Sequence, residues 1–491
     1  MQFISVKFGG DLKKTYICRQ QYSRYMEQIK SLQLSEDGKT VIGCDKDYKG
    51  TMVIPEGVTV INDYAFLACT SLASIQIPDS VTMIGRNAFA ECISLTTIVI
   101  PASVTQIEDG TLAHCTNLRE IIVDPNNNIY CSTDGVLYSK DKSVLIAVPG
   151  SKNSIMIPDS VKKIENQAFS GCTSLSAIVI PKSVTKIGCY AFDDCTKLSS
   201  IEIPEWLTKI EMGTFNGCNN LISIEIPACV IEIEKHAFSS CTSLTSIKIP
   251  KNITRIEDST FRNCASITSV DIPERVKIIG EEAFYGCTNI TSVIIPDNVK
   301  IISKEAFFGC SSLTSIKIPE RLTRIGKHAF ANYPNLKEII VDEKNHYYCS
   351  VNGVLYNKDL SKLITVPGAI GLNRIPNSVN YIGEYAFSCC TKIFSQIIPK
   401  NVTRIGSYAF NNCTNLTKVE IPQSVSRIGS YAFLGCRRLR EIHLMLKKPI
   451  DLSESFQGIS ESGTSLYVPI GSGEAYRNHW FYKRFKEVIE E

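Results

Sequence analysis

Little in this chain of 491 residues announces chemistry: its net charge is small, it has two tryptophans and six histidines, and enzyme motifs are missing. Lys plus Arg number 52 against 49 Asp plus Glu, a balance of +3. That balance leaves no electrostatic footprint for general nucleic-acid binding and no strongly basic patch for a membrane surface. No apolar run reaches the roughly 18 residues of a membrane-spanning helix. No G-x-S-x-G, H-E-x-x-H, phosphate-binding or dinucleotide-binding glycine motif occurs. His114, His236, His328, His346, His443 and His479 show no metal-ligand spacing, and C-x-x-C pairs are absent. Neither a catalytic residue, a metal nor a cofactor is therefore expected. Met1–Phe8 has no charged leader ahead of a continuous apolar core, so it does not read as a secretory signal.

What is present is a repeat of 23 residues, L-x-x-I-x-I-P-x-S-V-T-x-I-G-x-x-A-F-x-x-C-x-x. Its proline falls at Pro55, Pro78 and Pro101, then from Pro158 to Pro319 in steps of 23, then at Pro376, Pro399 and Pro422. A fixed period of this length predicts a solenoid, in which each coil contacts mainly its neighbours. The intervals Pro101–Pro158 and Pro319–Pro376 are both 57, which is 23 plus 34. The two long units match at an offset of 218, as in Ile121/Ile339, Cys131/Cys349 and Gly135/Gly353. Each is expected to hold a β-hairpin turning at Lys140-Asp141 or Lys358-Asp359.

Within one unit, Leu72, Ile75 and Ile77 fit L-x-x-L-x-L, a strand with Ser74 and Gln76 facing out. Pro78 ends the strand because it has no N–H to give a ladder. Val81 and Ile84 make a second short apolar pair. Ala88, Phe89 and Cys92 have the spacing of one helical turn facing the core. Thirteen of the 20 cysteines share the position of Cys92, which predicts a column of reduced, buried thiols acting as small hydrophobes. Coils about 4.8 Å apart would make a body on the order of 80 Å long. Residues 1–48 break the period and are assigned to an N-terminal cap, with a helical stretch from Gln20 to Ser31 and a hairpin at Glu36-Asp37-Gly38. The solenoid is assigned to 49–445, with extended coils at about 112–157 and 330–375, and a C-terminal cap to 446–491. In that last segment Tyr476, Trp480, Phe481, Phe485 and Val488 have the spacing of a short helix laid over the final coil.

Function should lie at outward positions that vary from coil to coil. Two residues before the proline, the series includes Gln76, Val99, Val179, Glu202, Glu225, Lys248, Asp271, Ile294 and Ile397. Two residues earlier lies a nearly uniform Ser/Thr lane, Ser74 to Ser395. Five after the proline runs a basic column that includes Lys163, Lys186, Lys209, Arg255 and Arg324. These lanes read either as a solvated face or as a stripe for acidic protein or glycan. Trp206 stands where most units place Ser, Asn or Arg, and reads either as a binding anchor or as a ring folded over its neighbours. Glu202, Glu225, Lys248, Asp271, Trp206 and the basic column are the candidate interaction surface.

The unit Leu244–Cys264, the D-G-V-L-Y-x-K-D insert at Asp134–Asp141 and the closing segment Leu466–Tyr476 resemble the BspA-like (treponemal-type) leucine-rich repeat family, over roughly residues 35–485. The resemblance implies an α/β repeat solenoid, a right-handed stack of coils with short strands and one helical turn per unit. It implies a non-catalytic protein-interaction module, a monomer, whose relatives in host-associated bacteria and some protozoa include adhesins and host-recognition proteins. Its partners would be proteins, host matrix proteins among them, or glycans. An intracellular protein-binding scaffold and a binder of acidic glycans are the alternatives. Cell-surface or secreted location follows from the resemblance; a cytoplasmic one follows from the lack of a leader, a sorting motif or a membrane anchor.

Overall fold

The computed structural model describes residues 31–372 and 374–491, together with the backbone of the antiparallel strands Phe3–Val6 and Thr15–Cys18. The helix expected over Gln20–Ser31 lies, apart from Ser31, outside the described residues. The chain divides into two compact units, Met1–Leu244 and Thr245–Glu491. No described helix is long and apolar enough to cross a membrane.

Both units are stacks of coils in parallel register. In the first, the strand Thr97–Ile100 pairs with Glu120–Val123 and Ala177–Ile178 pairs with Ser200–Ile201, each residue meeting the one 23 further on. In the second, Ser269–Asp271 pairs with Ser292–Ile294, and Ser315–Ile318 with Glu338–Val341, at the same offset. The V-T-x-I segments make a second ladder on another side of each coil: Val60–Ile61, Met83–Ile84 and Gln106–Ile107 in the first unit, and Arg255–Ile256, Ile278–Ile279, Ile301–Ile302 and Arg324–Ile325 in the second. Parallel ladders of identical residues keep each buried Ile or Val above its counterpart, so one apolar column is extended with every coil. Gly85 belongs to this ladder for a reason of space: an added Cβ would lie 2.5 Å from the Asp63 amide nitrogen in the preceding coil.

The A-F-x-x-C segment departs from the expected helical turn. It is a run of tight turns whose amides alternate between two destinations. Ala65 N–H donates to Asn62 O and Cys69 N–H to Phe66 O, within the coil. Phe66 N–H donates to Ala88 O at 2.7 Å and Ala68 N–H to Ala90 O at 2.8 Å, in the next coil. Tyr64 and Ala68 are left-handed, with φ of 61° and 58°, and the same two positions recur as Asn87 and Glu91, and as Tyr190 and Asp194. An α-helix would keep these donors to itself. The left-handed residues cost about 1–2 kcal/mol each, and the stacking bonds they aim at the neighbour offset that cost. The α-helix found among the described residues is Gly473–Asn478. It covers Tyr476 alone of the five residues assigned to a terminal helix; Val488 lies in the strand Glu487–Glu490, which pairs with Ser465–Val468.

The interior follows the sequence closely. Phe169, Phe192, Phe215 and Phe238 stack with ring centroids 4.7–5.7 Å apart, as do Phe387, Phe410, Phe433 and Phe456 at 4.7–5.1 Å. Most ladder thiols donate to the carbonyl of the aromatic residue one coil back, as Cys195 does to Phe169 O at 3.2 Å and Cys413 to Phe387 O at 3.0 Å; Cys172 and Cys390, which follow the long coils, donate to Val148 O and Val366 O. Burial pushes the Cys195 and Cys413 thiols well above their ordinary range, so they stay neutral. Where Tyr333 replaces the cysteine, its hydroxyl makes the same bond, to Phe307 O at 2.6 Å.

The long coils hold the expected hairpins, turning at Lys140-Asp141 and Lys358-Asp359, with one more antiparallel strand ahead of each. Tyr130–Thr133, Val136–Ser139 and Val144–Ala147 form one meander, and Tyr348–Val351, Val354–Asn357 and Lys362–Thr365 the other. The first strand of each was missed because its turn, Asp134-Gly135 or Asn352-Gly353, follows a run without strand-like apolar alternation, Cys131-Ser132-Thr133 or Cys349-Ser350-Val351.

Candidate interaction surface

The outward strand positions form, in each unit, a row of side chains standing clear of the core. In the first unit Val99, Ile122 and Val179 are exposed, Val179 by 75%, while Ile98, Ile121 and Ile178 between them are buried. Glu202 and Glu225 continue the row past Val179 and, with Ser200 and Ser223, line a shallow depression of about 390 Å³. In the second unit Lys248 and Asp271 stand opposite each other across a parallel bridge. Ile294 follows, 74% exposed, with Ile340 and Ile397 further along. Strand geometry alone puts these residues outside; what it does not require is that so many be aliphatic.

The basic column stands on the V-T-x-I ladder, and much of it is neutralised. Lys163 Nζ lies 2.6 Å from Glu165, and Lys209 lies 2.7 Å from Glu234 and within reach of Glu211 and Glu232. The Glu234 hydrogen bond raises the Lys209 ammonium above its usual range despite some burial. Arg255 Nε meets Glu257 at 2.8 Å. Lys186 and Arg324 are exposed. The carboxylates come from the position two after the column, which alternation places on the same side. The structure therefore joins Lys163, Lys209 and Arg255 to acids instead of leaving one cationic stripe.

Trp206 is folded back. Its Nε1–H donates to Val184 O at 2.8 Å, leaving 39% of the residue exposed. The same position carries Ser80, Ser103 and Ser424, whose hydroxyls reach Val58 O, Val81 O and Val402 O. Trp206 thus makes the coil-to-coil bond that serine makes elsewhere, with a larger side chain.

One cluster escaped the sequence reading. His114 Nε2 lies 3.2 Å from Asp193 Oδ2 and 3.0 Å from Ser170 Oγ, and His114 Nδ1 lies 3.9 Å from Asp194. The ring crosses the intervening coil over Gly171, where an added Cβ would sit 2.4 Å from His114 Cα. The spacing of the three groups would admit a cation. With both ring nitrogens already turned to carboxylates, the arrangement is that of an imidazolium held between two acids. The Asp193 hydrogen bond raises the His114 pKa, against an opposing contribution from burial. The partners are 79 residues apart because a long coil intervenes, so no fixed spacing marks them.

Each long coil also borders a pocket. In the first unit it measures about 230 Å³ and includes Tyr130, Val144, Glu165 and Asn166. In the second it measures about 320 Å³ and includes Tyr347, Tyr348, Lys362, Tyr381 and Glu384.

A sequence signature described as "BspA type Leucine rich repeat region" matches residues 48–142, 149–267, 254–368 and 372–470. Among solved structures, a leucine-rich repeat protein from Bacteroides ovatus is 24% identical, over 89% of this chain and 97% of its own, with a TM-score of 0.43. A leucine-rich cell surface protein from Faecalibacterium prausnitzii is 25% identical, over 74% of this chain and 94% of its own, with a TM-score of 0.47. No curated protein matches. With the signature running through nearly every coil of both units, the chain belongs to the BspA-type leucine-rich repeat family.

Proposed function

We propose that the protein is a non-catalytic binding module that engages a protein partner along the outward row of its strand ladders, as an adhesin or host-interaction protein. The observation that supports this reading is the set of exposed aliphatic residues on that row, with Val179 and Ile294 about three-quarters exposed. Isolated apolar residues on a surface are ordinary. A recurrence at one repeat position beside charged neighbours is the mixture from which protein interfaces are made. The Ser lane beside it keeps the surface low, so a partner can approach the aliphatic row.

The test begins with location. Intact source cells are shaved with protease, and the released fragments are compared with the cytosolic fraction. Release from outside favours adhesion, and the purified chain is then titrated against immobilised matrix proteins. Substituting Val179→Glu and Ile294→Glu should weaken binding by about tenfold each, the cost of placing a charge in an apolar contact. Binding that ignores both substitutions removes the strand row from the account. Retention in the cytosol removes adhesion and leaves the same row to an intracellular partner.

A further inference from the structure

We propose that the pocket beside the second long coil binds an acidic sugar residue, through a carboxylate on Lys362 and a ring face on Tyr347. Three observations converge there. First, the pocket is walled by three tyrosines, Tyr347, Tyr348 and Tyr381, and Tyr347 is 53% exposed. Tyrosine rings offer flat apolar faces to the C–H side of a sugar, with a hydroxyl at the rim. Second, among the described residues the Lys362 ammonium lines the pocket with no carboxylate in ion-pair contact. It lies 5.2 Å from the centre of the Tyr381 ring, whose π-system Arg404 also approaches, at 4.9 Å. A half-buried cation whose direct contact is an aromatic ring has room for an anion. Third, Glu384 faces the same space. His328 Nε2 meets it at 2.9 Å and Lys327 Nζ at 3.4 Å. Those two contacts leave part of its acceptor capacity free for hydroxyl donors.

The combination chooses among anions. A phosphate group would bring a second negative charge toward Glu384, and among the described residues lining the pocket Lys327 and His328 are already paired with Glu384, which leaves Lys362. A monocarboxylate bearing hydroxyls satisfies both groups at once, the carboxylate on Lys362 and the hydroxyls on Glu384. Small-molecule pockets begin at about 300 Å³, so the space suits one ring. The pocket at the first long coil is a built-in contrast. At the offset of 218, Val144 and Asn166 line it where Lys362 and Glu384 line the second, and Ile129 and Lys163, which do not line it, stand at the positions of Tyr347 and Tyr381. No lysine among the described residues lines it, and Lys163 nearby in the chain is engaged by Glu165, so the ligand chemistry belongs to the second pocket.

The experiment is calorimetric titration of the full chain with sodium glucuronate, glucose and sodium acetate. Glucuronate should bind saturably in the millimolar range, and glucose and acetate about tenfold more weakly, each lacking one of the two contacts. Lys362→Gln, shown by its melting curve to be folded, should lose about tenfold in glucuronate affinity while leaving glucose unchanged. Tyr347→Ala, at an exposed position that folding does not need, should weaken glucuronate and glucose together. The proposal is overturned if glucuronate does not bind, if acetate binds as well as glucuronate, or if neither variant changes the affinity.

Discussion

Asn127 and Asn345, 218 residues apart, are both fully buried and make the same bonds. The side-chain amide of Asn127 donates to Pro101 O and Val104 O, and that of Asn345 to Pro319 O and Leu322 O. Their Oδ1 atoms accept from the amides two and three residues on. Tyr130 OH takes the Ile107 amide at 2.9 Å, and Tyr348 OH takes the Ile325 amide at 2.8 Å. Cys131 and Cys349 each donate to the carbonyl eight residues on, at 3.3 Å. The two long coils are thus built alike where these side chains hold the meander to the stack, and differ at several positions that line the pocket, such as Val144/Lys362 and Asn166/Glu384. Buried bonding requirements fix the first set of positions; the second set is free to specialise.

That division can be broken or sharpened by paired substitutions. Tyr138 and Tyr356 are both almost wholly buried. Tyr138→Ala and Tyr356→Ala should each destabilise by about 3–5 kcal/mol in denaturant unfolding, and a large disparity would deny that the scaffolds are equivalent. Next come Asn127→Ala and Asn345→Ala, which strand two carbonyls and two amides. Each should cost about 2–4 kcal/mol in the same assay.

A third pair sets the first unit against the second in acid-base behaviour. His114, Asp193 and Asp194 correspond at the 218 offset to Asn332, Asn411 and Asn412, which do not titrate. The raised pKa of His114 means that its contribution to stability is complete below the unfolded value of about 6.5 and is lost as pH rises through the folded value. Thermal melting between about pH 6 and 8 should therefore show a decline in wild type that His114→Gln flattens and Asn332→Gln does not. The smallest effect belongs to Lys362→Val, which copies Val144 of the first coil. Burial lowers the Lys362 ammonium pKa, with Arg404 and Lys327 adding to it and Glu384 opposing. Loss of the Tyr381 contact offsets relief of that strain, so stability should change by less than about 1 kcal/mol.

Pro101, Phe192, Cys195 and the 218-residue offset were legible because one physical demand, closure of an apolar core against an identical neighbour, recurs in every coil. The turn run was not. Tyr64 and Ala68 adopt left-handed backbone without being glycine, since their conformation is set by bonds to the next coil and not by local preference. Trp206 was ambiguous for the same reason: its indole partner, Val184 O, lies one coil back. The His114 cluster needed the long coil's geometry to be known first. Lys362 and Tyr381, which meet over the second pocket, sit in different coils, and sequence gave no reason to place them together.

The alternating turn amides have a consequence for synthesis. Phe66 and Ala68 donate forward, to carbonyls that lie 22 residues later in the chain, whereas Thr82 donates backward, to Thr59 O. A nascent chain can therefore close the V-T-x-I ladder of its newest coil at once. The turn side stays open until the following coil has left the ribosome. Each coil is in that sense half-finished by its own sequence and completed by the next. Nascent chains truncated one coil at a time should carry a single unfinished turn side at the growing tip, readable as a short stretch of fast-exchanging amides that moves forward with each added repeat.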